Sequence, residues 1–214
     1  MPRRMPGLTG DLQDKIRTAT AISQAGELVR AAVAPGSKAS VAFRPSRLEA
    51  LYELSYLRVF VSWETFLEET FLRYTCGYTS VHGMATMRAP LSYYPSLSVA
   101  FAAVGSGNDF MLWHNPTKVI ARVNRFVVNG LHAQVISSQS TLLEHFAAIR
   151  HRIVHDQADA RKKFDFASVQ LAGRRYPASR PGRLLRDWNP NATPPQRWLE
   201  TIADELLSLA GQIA

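Results

Sequence analysis

The chain contains little that would crosslink it, anchor it or load it with metal. One cysteine, Cys76, stands among 214 residues. That excludes an intrachain disulfide and a thiolate metal cluster, and points to a reducing, cytoplasmic setting. No base-like residue is near it in sequence, so Cys76 is expected as a packed helix residue. No apolar run approaches the roughly twenty residues that a membrane helix needs. The segment 1–15 has two arginines with no apolar stretch behind them, so no secretory leader and no membrane partner are expected. Neither a P-loop nor a G-x-G-x-x-G fingerprint is present, which removes the common nucleotide-binding motifs. Lysine is scarce as well, with only Lys15, Lys38, Lys118, Lys162 and Lys163.

Positive charge is nevertheless abundant. Lys and Arg total 25 against 17 Asp and Glu, so the cations are overwhelmingly guanidinium groups, whose planar fork suits phosphate. Apolar residues make up 46% of the chain, enough to build a core and to exclude disorder.

Helical periodicity organises the sequence. A helix is expected from near Asp11 through Val33, followed by a PGSKAS loop. A long second helix should start after Arg44-Pro45, with Ser46 as N-cap and Glu49 completing a capping box. Within it Trp63, Phe66, Leu67, Thr70, Phe71 and Tyr74 recur at helical spacing on one face, the pattern of a core or interface stripe. Glu69 and Arg73 pair at i, i+4 on another side. Residues 77–115 lose this period and read as a long insertion between helices. Thr117 opens a short helix ended by Asn129-Gly130, and the segment after Asp156 continues as a further helix. An Arg- and Pro-rich loop covers 173–187. The last helix carries Leu199, Ile202, Leu206, Leu209 and Ile213. No strand pattern is legible, so the expected class is all-α, an antiparallel helical bundle with a long insertion. Residues 1–45 are expected as an N-terminal helix and linker, and 46–214 as the bundle, in one compact domain.

The chemistry concentrates near the end of the segment STLLEHFAAIRHRIVHD, where Thr141 and Glu144 suggest a capping box. With about 100° per residue, Leu142, Leu143, Phe146, Ala147, Ile149, Ile153 and Val154 form an apolar arc, and Arg150 falls in its middle. A guanidinium there needs an acidic partner such as Glu64 or Glu68, an escape to water, or a wet cleft that takes an anion. His151 and His155 lie at the arc's edge, where they also suit the helix C-terminus. Their i, i+4 spacing lacks the Glu of a zinc-protease helix and has Arg152 in between, so no metal site is expected.

Arg150-His151-Arg152-Ile153-Val154-His155 resembles the Arg-x4-6-His signature of HEPN domains, with His151 at the polar position after the Arg. Arg125 to His132 fits the bare pattern too, but Asn129-Gly130 interrupts any helix there. Together with the segment WETFLEETFLRY at Trp63–Tyr74, the arrangement over about 46–213 is similar to bacterial HEPN proteins of the RiboL-PSP type. The insertion and the arginine-rich loop depart from that pattern.

The resemblance implies a helical homodimer whose Arg and His residues line one cleft at the interface. It also implies metal-independent RNA cleavage without a cofactor, in a toxin with a cognate antitoxin or in an antiphage defence effector with its defence partner. Arg150 would then bind phosphate and stabilise transition-state charge, while His155 moves protons and His151 assists. Arg152, Arg161, Lys162 and Lys163 would hold the RNA backbone. The other reading is a non-catalytic helical dimer that binds nucleic acid or protein.

Overall fold

The computed structural model describes residues 3–105 and 111–214, so part of the expected 77–115 insertion, 106–110, lies outside the described residues. Chain order is β1 (Arg3–Arg4), α1 (Leu8–Ala32), α2 (Lys38–Ala42), α3 (Pro45–Thr75), β2 (Tyr78–Ser80), β3 (Gly83–Met84), β4 (Thr86–Met87), α4 (Leu97–Gly105) and α5 (Pro116–Phe126). There follow β5 (Val127–Val128), α6 (Leu131–Ser138), α7 (Ser140–Val154), α8 (Ala158–Ala172), α9 (Pro181–Arg186), β6 (Trp188–Asn189), β7 (Gln196–Arg197) and α10 (Trp198–Ile213). The class is all-α. The strands are two or three residues long, too short for an alternating pattern to register in sequence.

Local chemistry sets the helix ends. α3 begins at Pro45, whose fixed φ suits a first helical residue, and the Arg44 carbonyl accepts from the amides of Arg47 and Leu48. Ser46 is therefore inside the first turn and not the cap. α7 likewise starts at Ser140, with the Gln139 carbonyl accepting from the Leu143 amide, which puts Thr141 inside the helix. The expected loop after α1 holds α2, capped by the Ser37 hydroxyl accepting from the Ser40 amide. Asn115 caps α5 by accepting from the Lys118 amide, and Gly173, at φ 68°, closes α8 in the left-handed conformation.

The chain divides into two compact units, Met1–Leu12, Trp63–Glu144 and Leu206–Ala214 in the first, Gln13–Ser62 and His145–Glu205 in the second. Neither is the expected 1–45 segment, because α1, α3, α7 and α10 each supply residues to both.

The first unit is built on the aromatic stripe. Trp63, Phe66, Leu67, Thr70, Phe71 and Tyr74 are all buried, and the Phe71 ring meets those of Trp113, Phe126 and His132. Burying each large apolar side chain contributes about 2 kcal/mol, whereas the Glu69–Arg73 pair at 3.4 Å contributes a few tenths at most. The stripe, not the ion pair, holds this part of α3. Trp113 donates its indole N–H to Glu68 at 2.6 Å, and Arg122 lies over its ring. The Tyr74 hydroxyl donates to the Ile213 carbonyl, fastening the end of α10. Small ladders complete the unit: β1 runs parallel to β2, β2 antiparallel to β3, and β4 antiparallel to β5. Cys76 is buried just past α3, and burial pushes its thiol pKa up.

The second unit packs Leu48, Tyr52, Tyr56, Val59 and Phe60 of α3 with Phe146 and Ile149 of α7, Phe164 of α8, and Leu184 and Leu185 of α9 in its core. The Tyr56 hydroxyl donates to the Phe146 carbonyl at 2.6 Å, tying α7 to α3. Leu199 and Ile202 of α10 are buried here as well, and β6 pairs with β7 in the loop before it.

Candidate functional site at the end of helix α7

All the candidate residues lie in the second unit. Leu143, Phe146 and Ile149 of α7 are buried as the apolar arc requires, and Arg150 is half-buried beside them. The arc opens at its C-terminal end: Ile153 is only half-buried and Val154 is exposed. Val154 therefore departs from the core role that periodicity assigns it.

His151 and His155 are brought together. Their ring centroids lie 4.6 Å apart with the planes tilted by 49°. His155 sits just past α7, exposed, and its amide still donates to the His151 carbonyl at 2.9 Å, so one further turn keeps the two rings in register. His151 is half-buried, and burial first, then the charges of His155 and Lys163, push its pKa below the ordinary histidine value against the pull of Asp159. Its neutral form, able to accept a proton, is thereby favoured.

The four basic residues expected to hold RNA are placed differently from one another. Arg152 is mostly buried. Its Nε donates to the Ser179 carbonyl at 3.1 Å, its guanidinium donates to the His155 carbonyl at 3.2 Å, and the same group lies 3.0 Å from Asp156. It thus caps the end of α7. Arg161 donates twice to Asp156, at 3.1 and 2.7 Å, and Lys163 pairs with Asp159 at 2.8 Å. Lys162 is exposed on α8.

Sequence reasoning missed the group that grips Arg152. Ala178 and Ser179 both have left-handed backbone, at φ 57° and 47°, a strained conformation for residues other than glycine. The Ser179 hydroxyl donates to Asp165 of α8 at 2.7 Å while its carbonyl receives Arg152. Positive φ at Ala-Ser has no reliable sequence signature, so only the structure exposes this link.

The second Arg-to-His match separates as expected. α5 ends at Phe126, Asn129 is left-handed at φ 52°, and His132 is fully buried on α6. Among the described residues no group of three or more His, Cys, Asp or Glu side chains is placed to hold a metal ion, and no helix is long and apolar enough to cross a membrane. Compared with family models, curated proteins and solved structures, the chain matches none.

Proposed function

We propose that this chain is a metal-independent endoribonuclease of HEPN type, acting as a cytoplasmic homodimer in a toxin or antiphage-defence role. The observation that carries the reading is the imidazole pair 4.6 Å apart, His151 in the last turn of the helix that carries Arg150 and His155 just past its end. In the proposed reaction the ribose 2′-oxygen attacks the adjacent phosphorus and its proton passes to His151, whose neutral form burial favours. The bond to the 5′-oxygen breaks, and His155 supplies the proton that the leaving oxygen needs. Arg150 holds the phosphate oxygens, with two hydrogen bonds where charge builds up. The products are a 2′,3′-cyclic phosphate and a 5′-hydroxyl. Exposed Val154 on α7 and Phe166 on α8 give this unit apolar surface suited to a second copy.

A specific observation favours the second reading, a non-catalytic dimeric binding module. Arg152, Arg161 and Lys163 are engaged in ion pairs within the chain, as expected of residues kept for structure. The deciding experiment is incubation of end-labelled RNA and tRNA with purified protein in EDTA, beside Arg150→Ala and His155→Ala, with chemical identification of the ends. Cyclic phosphate ends that disappear in both folded variants support the nuclease. Intact RNA from a well-folded dimer supports the binding module.

A further inference from the structure

The arginine-rich loop does not stay a loop. It folds in part into α9, and with the β6–β7 ladder that follows and the start of α3 it walls a groove of about 720 Å³ in the second unit. Six arginines line it, Arg44, Arg174, Arg180, Arg183, Arg186 and Arg197, with Tyr176 and Trp188 between them.

Carboxylates hold these guanidinium groups without neutralising them. Arg180 lies 2.9 Å from Glu49, Arg174 pairs with Asp187, and Glu27 of α1 takes Arg186 at 2.7 Å and Arg197 at 3.6 Å. Burial alone would raise the Glu27 pKa, but the hydrogen bond and charge of Arg186, with Arg197, hold it below the ordinary value. Four of the six guanidiniums share three carboxylates in these ion pairs, and the groove wall itself, with six arginines against Glu49 and Asp187, remains net positive. Arg44 and Arg183 are exposed and form no ion pair among the described residues. Fixing some arginines in advance lowers the entropy that a ligand must spend to order them.

Two features narrow the ligand. Every basic side chain on the wall is arginine, whose fork bonds phosphate oxygens in pairs where lysine offers only a point charge. The wall also offers aromatic planes: Arg197 lies 4.6 Å from the Trp188 ring centroid and Arg174 5.1 Å from that of Tyr176, while Trp188 remains 54% exposed. Carboxylates of an acidic protein would satisfy the forks and leave the tryptophan plane unused. A single nucleic-acid strand supplies both phosphates and stackable bases.

We propose that this groove binds the sugar-phosphate backbone of single-stranded RNA, with Trp188 stacking against a base. The inference rests on the ribonuclease reading and deepens it by saying where the strand runs beyond the scissile phosphate. Arg180, on the groove wall, directly follows Ser179, whose carbonyl Arg152 of α7 grips.

The test is fluorescence anisotropy of a labelled, unstructured RNA oligomer with the full chain across a salt series, in a His155→Ala background that keeps the oligomer intact. Neutralising two phosphate contacts in Arg44→Gln/Arg183→Gln should weaken binding about tenfold and reduce the log–log salt slope by about 1.4. Trp188→Ala should weaken it by about fivefold or more. Thermal melts of each variant verify folding. Affinity and slope equal to the parent in folded variants would overturn the groove, as would an acidic peptide that binds there while RNA does not. Cleavage in the original chain separates the two ideas. RNA bound through the groove but never cut sinks the nuclease and leaves the groove standing, whereas RNA cut equally well by folded groove variants does the reverse.

Discussion

The imidazoles of His151 and His155 stand 4.6 Å apart, one half-buried and the other exposed. Burial is the first cause of the lowered His151 pKa, and the neighbouring His155 charge is the second. A titration of the His151 ring followed by NMR should place its midpoint below the usual histidine value of about 6.5. In His155→Ala the midpoint should move up only part of the way, because burial persists. An unchanged midpoint would show that the rings do not sense each other.

Arg152 is expected to act as a positioning residue and not as an RNA contact. Its guanidinium donates to two carbonyls and meets Asp156, with 14% of the side chain exposed. Arg152→Ala leaves the Ser179 and His155 carbonyls without this donor and should cost about 1–3 kcal/mol, read as a lower melting temperature. Arg152→Lys should recover little, since an ammonium cannot reproduce the fork. The RNA-binding salt slope should stay at the parent value. A phosphate contact would give the opposite pattern, with a shallower slope and an unchanged melt.

The α class is legible in the sequence because burial along α3 and α10 follows the helical period: Trp63 to Tyr74 and Leu199 to Ile213 are buried at the spacing that the sequence displays. The imidazole pair is legible for the same reason, being two residues one turn apart. Helix starts are read two residues late, with Ser46 and Thr141 taken as caps where Arg44 and Gln139 stand, because proline and a backbone carbonyl begin those helices in place of a side-chain cap. α6 is hidden by its brevity. The groove is hidden by distance along the chain. The loop at 173–187 stands out by composition, but nothing in its sequence says that Glu27, Arg44 and Arg197 converge on it.

His132 gives the fold an acid limit. It is fully buried, with Nε2 2.8 Å from the Thr70 hydroxyl, and burial pushes its pKa down to about 3 against the opposing hydrogen bond to the Leu67 backbone. In the unfolded chain the same imidazole takes a proton below about pH 6.5. The folded state refuses that proton, so its contribution is complete above this pH and is lost progressively as the pH falls toward 3. Urea midpoints measured across this range should fall with acid. His132→Gln, which retains an N–H donor but does not titrate, should show a shallower fall than the parent. Parallel curves would mean that His132 does not set the acid limit.

Gly182 offers the sharpest test of how the arginine groove is held. Its amide donates to Glu53 at 2.9 Å, and a β-carbon on it would lie 2.2 Å from the Glu49 carbonyl oxygen and 2.6 Å from the carbonyl carbon. Those atoms belong to the backbone of α3, which is fixed by buried Leu48 and Tyr52 on either side of Glu49, so α9 itself must retreat. Helix propensity predicts the contrary, since replacing glycine by alanine inside a helix ordinarily gains about 1 kcal/mol. The steric term should win: overpacking against backbone costs about 1–3 kcal/mol or more. Gly182→Ala should therefore lower the melting temperature and weaken RNA binding together, because Arg180, Arg183 and Arg186 all ride on the displaced segment. Serine should behave like alanine, as it also adds a β-carbon. A more stable Gly182→Ala protein would show that α9 does not press on α3 at Glu49.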